Sequence, residues 1–276
     1  MSTSESALDL RGIIPATVLP MTQDARIDEP ELRKYIRWVA GQGIRAVAVN
    51  VDTGEGPHLW HEERLRVLRV YKEELAGRGI PIVAGLGASF TAQAVKYAGE
   101  YREAGADCLL VFPITAYLGT PLSPEVPYRY HKAIADETGL PLILFTLQPA
   151  LGGTDFTDET LLRLIEIPQV VAIKEALFDA KRFREIVDVV RGASRRITVR
   201  RHAVLLHELG MEGKHDRGLH FASVPHSPGT GLADLGKSIG RDRPVRHVDD
   251  SQIGALEADF LDGHVEKRLI PSVPVE

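Results

Sequence analysis

Short apolar runs alternate with longer amphipathic segments from residue 12 to about residue 192. The apolar runs consist mostly of Val, Ile, Leu and Ala and show little alternation between polar and apolar positions. This pattern is typical of strands that are covered on both faces in a parallel sheet. The runs predict six strands, which span Gly12–Val18, Arg45–Val51, Pro81–Leu86, Asp107–Phe112, Pro141–Leu147 and Val170–Lys174.

The segments between these strands have the spacing of amphipathic helices, with apolar side chains recurring every three or four residues. The predicted helices span Glu29–Gln42, His61–Ala76, Thr91–Ala104, Ser123–Glu137, Thr157–Ile165 and Asp179–Val190. Strands that alternate with helices at this spacing indicate right-handed βαβ units and a parallel sheet. Because the chain lacks the fingerprint of a dinucleotide-binding fold, six such units favour an α/β protein with a (β/α)8 TIM barrel over an open sheet.

The pattern changes after Gly192, where amphipathic periodicity is weak and seven of the ten histidines are found. The candidates for the remaining elements are a strand at Ile197–Val199, a helix at Ala203–Leu209 and a strand at Gly218–Val224. We therefore expect an N-terminal tail over 1–10, a barrel over 11–225 whose last two units are irregular, and a divergent C-terminal extension over 226–276. A shifted reading frame in the gene and genuine divergence would each produce such a tail.

The composition excludes several classes of partner. The chain is 44% hydrophobic and 26% charged, which is an ordinary globular balance. A net charge of −5 does not favour the basic face that nucleic acid or an anionic membrane requires. Because the N-terminus is polar and no run of about 18 apolar residues occurs, we expect a cytoplasmic protein. Cys108, the only cysteine, lies in an apolar run that favours a buried, inert thiol.

Lys174 comes at the end of the sixth apolar run, and active sites of barrels lie at the C-terminal ends of the strands. Burial disfavours an ammonium group, lowers its pKa and so makes the amine able to attack a carbonyl. Side chains alternate along a strand, so Glu175 should face the helices if Lys174 points inward. The alternative is that Lys174 ends its strand in solvent.

The second predicted strand ends in a turn that reads Asp52-Thr53-Gly54-Glu55. Such a turn presents backbone N–H groups beside a hydroxyl and a carboxylate, and it can hold the carboxylate of a substrate. The alternative is an ordinary loop in which Asp52 or Thr53 caps the next helix. An exposed position at the start of that helix is the simpler interpretation of both His58 and His61.

Six short motifs in a fixed order resemble those of the dihydrodipicolinate synthase / N-acetylneuraminate lyase family of pyruvate-type class I aldolases. The motifs are Gly12–Pro20, Asp52–Glu55, His61–Arg64, Pro81–Gly87, Ala104–Asp107 and Ile173–Ala176. Each is short, but their order and spacing agree with the family over about residues 10–192. The resemblance implies that Lys174 is the Schiff-base lysine and that Thr53 and Gly54 belong to the turn that holds the substrate carboxylate. It also implies a homo-oligomer.

The chain departs from the family pattern at positions that carry chemistry. Phe145 stands where the family has a tyrosine whose hydroxyl shuttles protons, and Ala150 stands where an arginine binds a second carboxylate. Asp52, which replaces the first threonine of the turn, is one candidate for the missing proton carrier because a carboxyl group beside an amine can act as general acid and base. Tyr117 is another candidate, and Gln148 could hydrogen-bond a substrate oxygen.

We therefore expect a Schiff-base-forming lyase that acts on pyruvate or a related small 2-oxo acid, with no metal, nucleotide or flavin as cofactor. The residues expected at the site are Lys174, Asp52 and Tyr117 for catalysis and Thr53, Gly54, Phe145 and Gln148 for substrate binding. The departures favour aldol cleavage or dehydration over the synthase reaction of lysine biosynthesis. The alternative is a barrel that has lost catalysis and serves as a binding or structural protein.

Overall fold

The computed structural model of the chain describes residues 8–114, 122–149, 152–193 and 197–201, with residues 200 and 201 described by their backbone alone. Its strands are β1 Val47–Val49, β2 Ile82–Leu86, β3 Cys108–Val111, β4 Leu142–Leu147, β5 Val170–Ala176 and β6 Thr198–Arg201. All neighbouring pairs are parallel, and the order of the strands in the sheet is their order in the chain.

Helices connect the strands at the positions that the amphipathic segments predict. They are α1 Glu29–Ala40, α2 His61–Glu74, α3 Thr91–Ala104, α4 Glu125–Thr138, α5 Asp158–Ile165 and α6 Ala180–Gly192. Side-chain caps begin three of them, since Asp28, Thr157 and Asp179 accept hydrogen bonds from backbone N–H groups in the first turns. Within the described ranges, no helix combines the length and the apolar character needed to cross a membrane.

Small and branched apolar side chains fill the core on the side of the sheet that Lys174 and Phe145 share. This cluster contains Ala46, Ala48, Val83, Cys108, Leu110, Ile143, Phe145 and Ala172, all almost fully buried. Successive helices pack against one another on the other side of the sheet. Both faces of the sheet are therefore covered, as the apolar runs predict, and the parallel α/β arrangement is confirmed.

The predicted strand at Gly12–Val18 is wrong as a regular element. The segment lies beside β1 but makes a single parallel bridge, between Ala16 and Ala48. Its hydrogen bonds with the β1 region run from Arg45 N to Ile13 O, from Ala48 N to Pro15 O and from Thr17 N to Ala48 O. Because Pro15 has no N–H to donate, the ladder cannot continue evenly along this segment.

The start of the seventh predicted unit is confirmed, because the candidate strand at Ile197–Val199 corresponds to β6. The candidate helix at Ala203–Leu209 and the candidate strand at Gly218–Val224 lie outside the described residues. The same holds for the C-terminal extension over 226–276, so the predicted domain boundaries stay predictions.

Candidate active site

Lys174 lies inside the fold, near the C-terminal end of β5. Its register partner on β4 is Phe145, and the two residues are only 5% and 1% exposed. The Lys174 Nζ atom lies 4.1 Å from the centre of the Phe145 ring, which in turn packs edge-on against Phe112. The lysine therefore points into the core enclosed by the strands, and the alternative of a solvent-exposed strand end does not hold.

Burial changes the acid–base behaviour of this amine. Loss of hydration lowers the pKa of Lys174 from its ordinary value of 10.5 to about 8, while the carboxylate of Asp52 acts in the opposite direction. At pH 7 a pKa of about 8 leaves roughly one amine in ten uncharged, whereas an ordinary lysine leaves fewer than about one in a thousand. The remaining ammonium form is stabilised by the face of the Phe145 ring.

Neighbouring groups hold the backbone of the lysine in place. Glu175 is fully buried on the opposite side of β5, as the alternation of side chains predicts, and its Oε1 accepts a hydrogen bond of 2.6 Å from Leu177 N. The hydroxyl of Thr146 on β4 donates to the Lys174 carbonyl over 3.3 Å. The Thr146 hydroxyl therefore holds the peptide carbonyl of Lys174, and Glu175 holds the chain where it leaves β5.

The turn after β1 is compact and pressed against the N-terminal segment. The carbonyl of Val51 accepts hydrogen bonds from Gly54 N at 3.0 Å and from Gly56 N at 3.1 Å. Asp52–Gly54 forms one turn of 3-10 helix, which includes the half-buried Thr53. The N–H groups of Gly54, Glu55 and Gly56 are therefore used in hydrogen bonds within the turn, and the carboxylate-binding role of Thr53 and Gly54 stays a prediction.

Asp52 sits in this turn and is coupled electrostatically to Lys174. Its side chain is exposed at the mouth of the site, yet the surrounding protein removes enough water to raise its pKa, while Lys174 and then His58 act to lower it. Asp52 does not cap α2, since the Trp60 N–H at the start of that helix donates to Glu63. The carboxyl group is therefore available to the site rather than engaged in helix capping.

A cleft of about 730 Å³ opens at the C-terminal edge of β1 to β4. Its walls carry Asp52, Ser89, Gln93 and Leu147. Lys174 is not among the described residues that line this space, but Asp52, which acts on the lysine electrostatically, is one of them. The cleft is large enough for a small-molecule ligand.

Of the other predicted site residues, the structure describes Gln148 but not Tyr117. Gln148 follows β4, and its backbone N–H donates to the carbonyl of Ala176 over 3.3 Å, so β4 and β5 stay joined at the mouth. Its side chain is half-buried there. Tyr117 and Ala150 lie outside the described residues, so the catalytic role of Tyr117 stays a prediction.

His58 and His61 have different surroundings. The prediction of an exposed position is confirmed for His58, whose Nδ1 lies 2.8 Å from Glu55 Oε2. The same prediction is wrong for His61. The His61 side chain is only 14% exposed, pairs with Glu100 and stacks on Tyr97 with the ring centres 3.8 Å apart. Because α2 and α3 pack side by side, a residue at the start of α2 faces α3 rather than solvent.

Asn50 is a residue that the sequence motifs did not single out. It immediately follows β1, is 4% exposed and has a φ of +56°, in the left-handed region. The one signal in the sequence is the residue type, because asparagine tolerates this conformation better than most non-glycine residues.

Together these features define a class of site. A buried lysine of lowered pKa ends a strand of a parallel α/β fold, and a carboxyl group acts on it from the neighbouring turn. An amine in this state can form a Schiff base with a carbonyl compound.

Comparison with known sequences identifies the family. The model of the Dihydrodipicolinate synthetase family matches residues 9–199, and the chain belongs to this family, which confirms the resemblance in the motifs. The 4-hydroxy-tetrahydrodipicolinate synthase of Acidovorax sp. (strain JS42) is 40% identical over 192 residues, which is 69% of this chain and 62% of that protein. The synthase of the same name from Albidiferax ferrireducens is 38% identical over 173 residues, which is 63% of this chain and 57% of that protein. The chain thus spans about three fifths of the length of these curated relatives.

Solved structures agree with this assignment. The chloride inhibited dihydrodipicolinate synthase from Acinetobacter baumannii complexed with pyruvate has 26% sequence identity and a TM-score of 0.67, covering 95% of this chain and 86% of that one. Dihydrodipicolinate synthase DapA-2 from Bacillus anthracis has 25% sequence identity and a TM-score of 0.68, covering 93% of this chain and 79% of that one. These similarities confirm the prediction of a TIM-barrel fold.

Proposed function

We propose that the chain is a Schiff-base-forming lyase, an aldolase or dehydratase, that acts on pyruvate or a related 2-oxo acid through Lys174. The observation that carries the proposal is the buried Lys174 amine, whose pKa of about 8 leaves part of it uncharged at neutral pH. The family membership supports the same chemistry, as does the related Acinetobacter enzyme, which was solved in complex with pyruvate.

In the proposed reaction, the uncharged Lys174 amine adds to C2 of the 2-oxo acid and gives a carbinolamine. Protonation of its hydroxyl and loss of water then form a protonated imine. The imine withdraws electrons from C3 and stabilises the negative charge that develops there when a bond to C3 breaks or forms. Hydrolysis of the imine returns the 2-oxo acid product and the amine.

These steps need a group that carries protons between the amine, the leaving hydroxyl and C3. Phe145 lacks a hydroxyl, so the proton cannot pass through that position. We assign the role to Asp52, because partial loss of hydration raises the pKa of its carboxyl group and because it interacts electrostatically with Lys174. Tyr117 stays the second candidate. Thr53, Gly54 and Gln148 are proposed to bind the substrate, Thr53 and Gly54 through its carboxylate.

The proposed substrate is a sugar-acid-like or aromatic 2-oxo acid, cleaved or dehydrated, rather than the substrate pair of the named relatives. Two features support this choice. An apolar ring, Phe145, covers the amine, and the chain has Ala150 where an arginine would bind a second carboxylate. A cytoplasmic location and a homo-oligomeric state are part of the same proposal.

The rival is a barrel without catalysis that serves as a binding or structural protein. The observation that favours it is the absence of a hydroxyl on Phe145, the residue paired with Lys174. The two functions differ in whether the amine forms a covalent bond with a ketone.

The test is reductive trapping of the imine. The protein is incubated with a panel of 2-oxo acids that includes pyruvate, reduced with borohydride and weighed intact. We expect a gain equal to the mass of the acid less one oxygen atom, mapped by peptide analysis to Lys174.

The adduct should disappear in Lys174→Ala and persist in Lys96→Ala, because Lys96 is an exposed lysine on α3. If no 2-oxo acid in the panel is trapped, the lyase proposal fails and the binding or structural function is what is left.

A further inference from the structure

The chain leaves β1 through a residue in an unfavourable backbone conformation. Asn50 has a φ of +56° and is almost fully buried. A left-handed conformation is unfavourable for a residue with a side chain, although asparagine is among the residues that adopt it most readily. Such a conformation persists where the surroundings determine it, and these positions are enriched at functional sites.

Contacts on three sides hold Asn50 in this conformation. Its side-chain Nδ2 donates a hydrogen bond of 3.0 Å to the carbonyl of Arg64 in the first turn of α2. Its main-chain carbonyl packs against Gly56 and Gly85, where an added Cβ would come within 2.0 Å and 2.5 Å of the carbonyl oxygen. The two glycines therefore make room for a peptide group that is anchored to the neighbouring helix.

The direction in which the chain leaves Asn50 determines where the next residues lie. Val51 follows it, and the Val51 carbonyl receives the two hydrogen bonds that close the turn around Asp52. A change in the backbone at residue 50 therefore moves the whole turn, including the carboxyl group that acts on Lys174.

We propose, on the assumption that the Schiff-base function above is correct, that Asn50 is a positioning residue that holds the Asp52 carboxyl at its working place relative to Lys174. Asn50 borders the cleft, but in this account it acts through the turn and not by contact with the substrate or the amine. Its side chain joins α2 to the end of β1, and its left-handed backbone determines the direction in which the chain enters the turn.

The charged surroundings of Lys174 determine which readout is informative. Asp52 raises the pKa of the amine, and His58 acts on Asp52 in turn. Phe145 faces the amine from β4, Glu175 lies on the other side of β5, and the backbone of Arg200 on β6 pairs with that of Lys174. If the Asp52 carboxylate moves away, the pKa of Lys174 should fall, because burial then acts with less opposition.

The variant Asn50→Gly keeps the left-handed conformation accessible but removes the hydrogen bond to Arg64. The readouts are the pH midpoint of imine trapping with pyruvate and the rate at which the protein exchanges the methyl hydrogens of pyruvate for deuterium. We expect the midpoint to shift to lower pH and the exchange to slow by roughly 10- to 100-fold, the scale that a small misplacement of a catalytic group produces. A merely structural role would lower thermal stability without moving the pH midpoint.

A double-mutant cycle with Asp52→Asn shows whether Asn50 acts through Asp52. In the Asp52→Asn background, Asn50→Gly should change neither readout further. Ala25→Gly is the matched control, since Ala25 is another left-handed residue (φ +57°) but lies in an exposed turn.

Two results would overturn the inference. One is that Asn50→Gly leaves both readouts at the wild-type values, and the other is that its effect is undiminished in the Asp52→Asn background. If Asn50→Gly does not fold, Asn50→Ser decides by the same two criteria, because serine is uncharged and lacks the Nδ2 donor. If the wild-type protein traps no 2-oxo acid at all, the proposed function itself is wrong.

Discussion

The reactivity that we assign to Lys174 depends on two opposing effects on one amine. Burial beside Phe145 lowers its pKa, and the Asp52 carboxylate raises it again. Burial is the larger effect, so the pKa comes to about 8. At neutral pH most of an amine with this pKa is charged, but the uncharged fraction is large enough to react with a carbonyl group.

Replacing the Asp52 carboxylate should affect imine formation and proton transfer in different ways. In Asp52→Asn, the pH midpoint of imine trapping should shift to lower pH, because the negative charge that favoured the ammonium form is gone. The deuterium exchange of pyruvate should fall by about 10²–10⁴-fold, the usual contribution of a general acid–base group.

Trapping rates across pH and proton NMR of pyruvate in D2O give the two quantities. Glu62→Gln is the control, since Glu62 is an exposed carboxylate at the start of α2. The role of Asp52 is refuted if the variant exchanges pyruvate at the wild-type rate.

At the same scale, the sequence predicts some residues of the site and not others. The inward position of Lys174 was predicted from the family resemblance, because the strand position alone left a solvent-exposed strand end as the alternative. Asp52 was predicted from the motif after the second run. The burial of His61 could not be predicted, since its partner Glu100 lies on another helix, 39 residues away. The left-handed backbone of Asn50 could not be predicted either, because hydrophobic periodicity carries no information about the sign of φ.

At the scale of single elements, the apolar runs predict strand positions well because both faces of the sheet are covered. The end of α3 was predicted at the correct residue, since Gly105 adopts the left-handed conformation that ends a helix. The first strand failed because an apolar run does not distinguish a ladder from an extended segment with one bridge.

Helix α4 contains a buried histidine whose titration affects stability. His131 is 1% exposed, and its Nδ1 donates a hydrogen bond of 2.7 Å to the carbonyl of Pro127. Burial lowers the pKa of His131 from 6.5 to about 4. Between these two values the unfolded chain binds a proton that the folded chain does not, so the folded state loses stability as the pH falls from 6.5 towards 4.

Replacing this histidine should remove that loss. Over the window, His131 lowers the free energy of unfolding by about 3 kcal/mol at most, and His131→Phe should show a correspondingly shallower decline. Urea unfolding at several pH values between the two pKa values measures the difference. His58→Gln is the control, because His58 is exposed. Equal declines in the wild type and His131→Phe would contradict the assignment.

For the whole molecule, two boundaries fall close together. The amphipathic pattern weakens after Gly192, and the family match ends at residue 199. The order of the first six units and the start of the seventh could be predicted from hydrophobic periodicity. The elements beyond β6 could not be predicted in the same way, because weak periodicity gives no faces from which to assign helices or strands.

We predict that the protein forms a homo-oligomer and that exposed aromatic residues contribute to its interface. Trp60 is 78% exposed and Phe90 is 56% exposed, and they directly precede the neighbouring helices α2 and α3. Burying each would contribute roughly 1.5–3 kcal/mol to association. Sedimentation velocity should therefore show an oligomer that Trp60→Ser or Phe90→Ser dissociates more readily as the protein is diluted.

Leu162→Ser is the control for this experiment, because Leu162 is an exposed apolar residue on α5. A monomeric wild-type protein at micromolar concentration would refute the predicted assembly. Equal dissociation in all three variants would refute the contribution of the two aromatic residues.

The central claim concerns the state of one amine, and competitive acetylation of the unliganded protein measures it directly. Labelling with a trace of acetic anhydride from about pH 6 to about pH 11, followed by peptide analysis, gives the titration of each lysine. We expect the acetylation of Lys174 to be half-titrated near pH 8. A Lys174 that titrates near the ordinary value of 10.5 would contradict the account.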